Sequence, residues 1–123
     1  MKPRSGATDL QGIWLMNRGE VWWVEFDPAV GSEIRKTRPA VIVSNDSANR
    51  HLSRIVVIPL TSNADRQYPG EAMVRLDGKP GKAMADQIMA ADKSRLKGRM
   101  GQLTKAEMLA IEEAIRIHLG MPK

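Results

Sequence analysis

Hydrophobic and polar positions follow two regimes along this chain. Short runs rich in β-formers come first, separated by polar stretches with Gly and Pro, and a single helical repeat closes the chain. Gly19–Phe26 reads as a strand, with Trp22, Val24 and Phe26 on one face and Val21, Trp23 and Glu25 on the other. Adjacent tryptophans cannot share a face, so one belongs to the core and the other to an interface or a partly covered groove. Pro39–Ser44 is a continuous apolar run of the kind buried on both sides. Asn45–Asn49 reads as a turn. Arg54–Thr61 is a third strand, and Pro59 near its end implies an edge or a bulge. A polar loop, Ser62–Gly70, leads to a fourth strand at Glu71–Leu76. The turn Asp77–Gly81 and a fifth strand at Lys82–Met89 follow, then a short helical turn or strand at Asp92–Leu96.

The last element carries its own start and stop signals. Thr104 and Glu107 have capping-box spacing, Met108, Ile111, Ile115 and Leu119 recur at helical intervals, and Gly120 with Pro122 ends the repeat. Strands first and helix last predict a small β-rich α+β fold, a twisted sheet or half-open barrel plugged by the terminal helix. Residues 1–17 differ in character, mixing Pro, Gly, Ser and Thr with the brief apolar patch Ile13-Trp14-Leu15. They read either as an extension upstream of a start at Met16 or as an arm whose Trp14 packs on the barrel or a partner. The domain is expected over residues 18–121.

Composition narrows the chemistry. A chain of 123 residues, 42% hydrophobic and 27% charged, fits one soluble domain with one core. Nineteen Lys and Arg against 14 Asp and Glu give a net charge of +5 and a sequence pI of about 9.9, which points to a polyanionic partner, nucleic acid first and an acidic protein second. With no Cys, disulfides and thiolate chemistry are excluded. His51 and His118 lie outside any metal-ligand spacing and no carboxylates cluster as ligands, so neither a metal nor a cofactor is called for. No apolar run approaches a membrane span and the amino terminus lacks a secretory pattern, which makes a cytoplasmic protein the expectation.

The candidate chemistry centres on Asp27–Glu33 and the strand after it. A polar, Gly-containing loop runs into the basic residues Arg35, Lys36 and Arg38, and Pro39 holds Arg38 in an extended backbone. Pro39 is expected at the first strand position, where its missing N–H is tolerated. A cation fixed at a strand mouth beneath a loop suits a phosphate. His51 falls in a turn and His118 in the last helical turn, where interaction with the helix carboxyl end is the simpler role.

The runs RGEVWWVEFDPAVGSE, RPAVIVS, VVIPLTS and ADQI followed by DKSRL, in that order and with the terminal helix behind them, resemble the MazF/PemK family of toxin–antitoxin ribonucleases over about residues 18 to 120. The resemblance implies an SH3-like, partly open barrel that forms a homodimer, cleaves single-stranded RNA at short sequences without a metal, and is restrained by an acidic antitoxin. It implies Arg38 and Thr61 as the catalytic pair, with Glu33 and Asp86 as further catalytic candidates. Ser32 stands where some members have a histidine and Met84 where some have an arginine, so which residue handles protons stays open between Glu33 and Asp86. Metal-free cleavage would use the RNA's own 2′-OH as nucleophile, leaving a 2′,3′-cyclic phosphate and a 5′-OH. Arg38 would stabilise charge at phosphorus and the Thr61 hydroxyl would orient the attack. Simpler roles compete: a surface salt bridge with Glu33 for Arg38, a backbone-bonded strand end for Thr61, solvated carboxylates for Glu33 and Asp86.

Ser32, Arg35, Lys36, Ser62, Gln87 and Arg50 are RNA-binding candidates, since phosphate contacts position a substrate without reading its sequence. With Trp22 and Trp23 committed to core or interface, Tyr68 and arginine planes remain for base stacking. A non-catalytic toxin of the CcdB type, binding DNA gyrase through the same architecture, is the alternative; such a protein has no need of Arg38, Thr61 and the Asp86-Gln87 pair.

Overall fold

The structure, a computed structural model, describes residues 15–26 and 36–123. Among the described residues seven strands, β1 (Glu20–Phe26), β2 (Lys36–Ile42), β3 (Arg54–Thr61), β4 (Glu71–Leu76), β5 (Lys79–Met84), β6 (Met89–Asp92) and β7 (Leu96–Gln102), form one antiparallel sheet in the order β4-β5-β3-β2-β1-β7, with β6 also on β3. A six-residue helix, α1 (Asp46–His51), links β2 to β3, and α2 (Lys105–His118) ends the fold. Strands first and helix last is the expected order, and the sheet curls into a half-barrel over which α2 packs.

Both faces of the central strands are buried, as the unbroken apolar run of the second strand requires. Val21, Val41, Ile58, Leu60, Ala72, Val74 and Ala83 meet Met108, Ile111 and Ala114 of α2 on one face. Trp22, Val24, Ala40, Ile42, Ile55, Val57, Ala91 and Leu96 form a second cluster on the other, with Met16 buried among them and Phe26 packed against it. The tryptophans divide as expected: Trp22 is 3% exposed and Trp23 is 40% exposed. Trp22 donates its indole N–H to Glu20 Oε1 at 3.0 Å, and Asn17 N and Arg99 Nε also meet that buried carboxylate. Arg18 fastens this end to α2, with its guanidinium on Glu112 Oε2 at 2.9 Å and on the Val43 carbonyl.

Several local expectations are corrected. Asn45–Asn49 is not a simple turn: Asn45 caps α1 by accepting from Ala48 N at 2.8 Å, and the chain winds as far as His51. Pro39 is the fourth residue of β2, paired with Trp23, because β1 lengthens the strand before β3 joins it. Pro59 marks neither an edge nor a bulge. It faces Ala40 on β2, while on its other side β6 ends opposite Val57 and β5 begins opposite Leu60, so its missing N–H falls in that gap. The turn after β4 shrinks to Asp77-Gly78, both at positive φ (52° and 81°), as a two-residue hairpin demands. The fifth strand breaks at a 3-10 turn, Ala85–Gln87, and resumes as β6; the region after Asp92 contains both a 3-10 turn, Lys93–Arg95, and the strand β7.

The α2 start and stop are as expected. Thr104 accepts from Glu107 N, Glu107 accepts from Thr104 N, and Gly120, at φ 69°, closes a Schellman cap in which Met121 N donates to the Arg116 carbonyl. The buried stripe is Met108, Ile111 and Ala114, with Ile115 partly buried; Leu119 lies past the sheet and is 52% exposed.

Candidate active site

The sheet register runs toward the two residues that stood first in the sequence. Arg38 pairs with Val24 on β1, which fixes its backbone inside β2 on that side. On the other side the β2–β3 ladder runs from Ile42–Val57 to Ala40–Pro59, and carrying that register two residues further sets Arg38 opposite Thr61. Directly opposed residues of antiparallel strands point to the same face, so the Arg38 guanidinium and the Thr61 hydroxyl share the face of the second cluster, at the mouth of the ladder. Arg38 is exposed, and among the described residues no carboxylate pairs with it. The salt bridge to Glu33 concerns a residue outside the described ones.

Thr61 Oγ1 accepts from Asn63 N at 3.2 Å. That contact orients the oxygen and leaves its proton available for a phosphate oxygen or a sugar hydroxyl. Thr61 also pairs with Lys82 on β5, and Gly81 makes the approach feasible: a Cβ there would lie 2.8 Å from the Thr61 carbonyl oxygen. Asp86 and Gln87 follow β5 on the 3-10 turn, both exposed. The turn packs against β3, β4 and α2, and Ala85 N donates to the Gly70 carbonyl at 2.9 Å, tying it to the loop that begins at Thr61. Gln87 Nε2 lies 3.5 Å from Met84 Sδ. Ser62 follows Thr61 and is exposed.

The remaining candidates divide. Lys36 begins β2, two residues before Arg38, and pairs with Phe26. Glu33, Ser32 and Arg35 lie outside the described residues. Arg50 is not brought to the site: it sits on α1, beyond the opposite end of β2, with its guanidinium on the Asp46 carbonyl at 3.4 Å. His51 shares that helix, its ring on the Ser47 carbonyl. His118 packs beside Gly70 at the end of α2.

One neighbour of Thr61 was not singled out by the sequence. Lys82, opposite Thr61, is 8% exposed, and its Nζ meets Glu71 Oε1 at 3.0 Å and the Arg66 carbonyl at 2.7 Å. Its only signal was a lysine within the small and apolar residues of the fifth strand, and nothing in the sequence named its partner.

Comparisons with known proteins identify the family and the fold. Residues 17–119 match the family described as PemK-like, MazF-like toxin of type II toxin–antitoxin system. Endoribonuclease MazF9 of Mycobacterium tuberculosis is 39% identical over 119 residues, spanning 87% of this chain and 98% of its own length. Endoribonuclease MazF of Staphylococcus saprophyticus is 31% identical over 113 residues, spanning 87% and 93%. A solved mycobacterial endoribonuclease in complex with its cognate antitoxin superposes with a TM-score of 0.71 at 33% identity, over 87% of this chain and 97% of that one. Deinococcus radiodurans MazF gives 0.73 at 26% identity, over 87% and 98%. The half-barrel with its terminal helix is thus the fold of the MazF toxins. The chain belongs to the PemK/MazF family of type II toxins, and it is an endoribonuclease.

Proposed function

We propose that this toxin cleaves single-stranded RNA at a short sequence, without a metal ion, through attack of the substrate's own 2′-OH. What supports this reading is the β2–β3 register, which ends at Ala40–Pro59 and, carried two residues further, sets Arg38 opposite Thr61, with the Asp86 turn tied to the loop that leaves Thr61. The 2′-oxygen forms a bond to phosphorus as the bond to the 5′-oxygen breaks, giving a 2′,3′-cyclic phosphate and a 5′-OH. Arg38 holds two nonbridging oxygens and stabilises the charge that builds on them; its guanidinium stays charged throughout the neutral range. Thr61 donates to the same phosphate or to the 2′-OH and sets the line of attack. One carboxylate takes the proton from the 2′-OH and a second group returns one to the leaving oxygen, with Glu33 and Asp86 as the candidates. In this reading the charge that builds at phosphorus is met by the Arg38 guanidinium.

Two partners complete the proposal. An acidic antitoxin segment would compete with RNA for this protein, which fits the net charge of +5 and the cognate antitoxin bound to the mycobacterial relative. A second copy of the chain would form a homodimer, with the half-exposed Trp23 as a candidate contact. The gyrase-binding alternative is set aside, because the relatives are endoribonucleases. Purified, antitoxin-free protein incubated with a long single-stranded RNA and EDTA tests the reading. Discrete cuts that slow at least about 10²-fold with Arg38→Ala are expected; intact RNA, or cutting by Arg38→Ala at the native rate, contradicts it.

A further inference from the structure

The loop from Thr61 to Gly70 is held by a buried ion pair, which is a costly device for a surface loop. Lys82 and Glu71 side chains are each 10% exposed and meet at 3.0 Å. Lys82 Nζ also donates to the Arg66 carbonyl at 2.7 Å. Glu71 Oε1 accepts from Tyr68 N at 2.8 Å, Glu71 N donates to the Tyr68 carbonyl, and Gln67 Nε2 donates to the Glu71 carbonyl. The pair therefore sets the backbone on both sides of Tyr68. Lys82 Nζ stands 5.5 Å from the centre of the Tyr68 ring, and the residue is nonetheless 54% exposed. The ammonium lies over the ring, and about half of the residue stays exposed to solvent.

Burying two charges gains little stability over packed apolar residues, so a retained pair fits best with fixing a geometry. Here the geometry belongs to the loop that leaves Thr61 and to its aromatic ring, and Lys82, which fixes them, is the direct cross-strand partner of Thr61. Single-stranded RNA is read by stacking unpaired bases on such rings. We propose that Lys82 is a positioning residue for RNA recognition: paired with Glu71, it holds the loop after Thr61 so that Tyr68 offers an open ring face to one unpaired base next to the cut site. This rests on the reading of the site as an RNA-cleaving one. Tyr68 then determines specificity by contact, and Lys82 acts through it without touching the reacting atoms.

The test uses RNA oligonucleotides carrying the cut sequence, each with one base near the cut replaced by an abasic unit. Tyr68→Ala should raise KM about tenfold and lower kcat by less than about twofold, the size expected for one lost stacking contact, and Tyr68→Phe should restore the native KM. At one position the abasic unit should cost the native enzyme about tenfold and cost Tyr68→Ala nothing further. Lys82→Met should reproduce that loss at the same position. Since Lys82→Met leaves a buried carboxylate unpaired, Glu71→Met/Lys82→Met removes both charges and is checked by thermal melting. A folded double variant with native KM and native base preference overturns the role of Lys82. An unchanged KM for Tyr68→Ala, or no coupling at any position, overturns the stacking. The same coupling is read as binding to 2′-O-methyl RNA, which cannot be cut. Native protein that binds with this coupling but cuts nothing contradicts the nuclease reading alone, and binding without it contradicts this inference alone.

Discussion

Arg38 and Lys82 lie on the same face of the sheet, on either side of Thr61, and their surroundings give them opposite roles. Lys82 is buried and fully engaged by Glu71 and the Arg66 carbonyl, so its charge serves the protein. Arg38 is exposed at the mouth of the β2–β3 ladder, and the proposed mechanism gives its charge to the RNA phosphate. Arg38→Ala should lower kcat about 10²- to 10³-fold with no change in melting temperature, since an exposed side chain is removed. Arg38→Lys keeps the charge but loses the planar fork, and should still cost about tenfold in kcat. Single-turnover kinetics beside a thermal melt measures both; an Arg38→Lys enzyme at the native rate would show that charge alone suffices. Arg38 was legible in the sequence because Pro39 and the apolar run behind it place a cation at a strand mouth. Lys82 was not, because its partner lies across the β4–β5 hairpin and a lone lysine in a strand reads as solvent-facing.

The β3–β5 junction shows how an element sets the site. Gly81 lets β5 pass within contact of the Thr61 carbonyl, where an added Cβ would lie 2.8 Å from that oxygen and 3.0 Å from Leu76 Cδ1. Gly81→Ala must push β5 away from β3, and should destabilise the protein by about 1–3 kcal/mol while lowering kcat through the displaced Thr61. Urea unfolding and kinetics on the same sample check the pair of effects; a variant as active as the native enzyme would separate the junction from catalysis. Strands with β-branched runs, such as β1 and β3, were plain in the sequence, as was α2 with its capping box. β7 was not, since Leu96–Gln102 holds Lys97, Gly98, Arg99 and Gly101 and pairs only with β1, leaving little apolar alternation to read. α1 is too short to show a helical period, and the break of the fifth strand at Ala85–Gln87 comes from the 3-10 turn that carries Asp86 and Gln87.

Two apolar clusters on opposite faces of one sheet make the whole molecule a single cooperative unit, with polar groups at its margins tuning its response to acid. A hydrogen bond from Ser94 N holds the Asp92 carboxyl below its ordinary value of 3.8, and Arg116 holds that of Glu113 below its ordinary value of 4.5. A depressed carboxylate pKa contributes stability that is present above the unfolded value and lost as pH falls through the folded one. The urea midpoint should therefore fall as pH drops below the ordinary carboxylate range, and Asp92→Asn with Glu113→Gln should flatten part of that fall; an unaltered slope would remove these groups as its cause. The curled sheet, the terminal helix and the family were legible in the order of strands and motifs. The Lys82–Glu71 pair that orders the loop beside Thr61 needed the three-dimensional register. The central claim is that the RNA's own 2′-OH is the nucleophile at Arg38 and Thr61. A synthetic RNA with a single 2′-deoxy sugar on the 5′ side of the cut tests it most directly. Loss of that cut alone, with neighbouring sites still cleaved to 2′,3′-cyclic phosphate ends, is expected; cleavage at the deoxy position would contradict it.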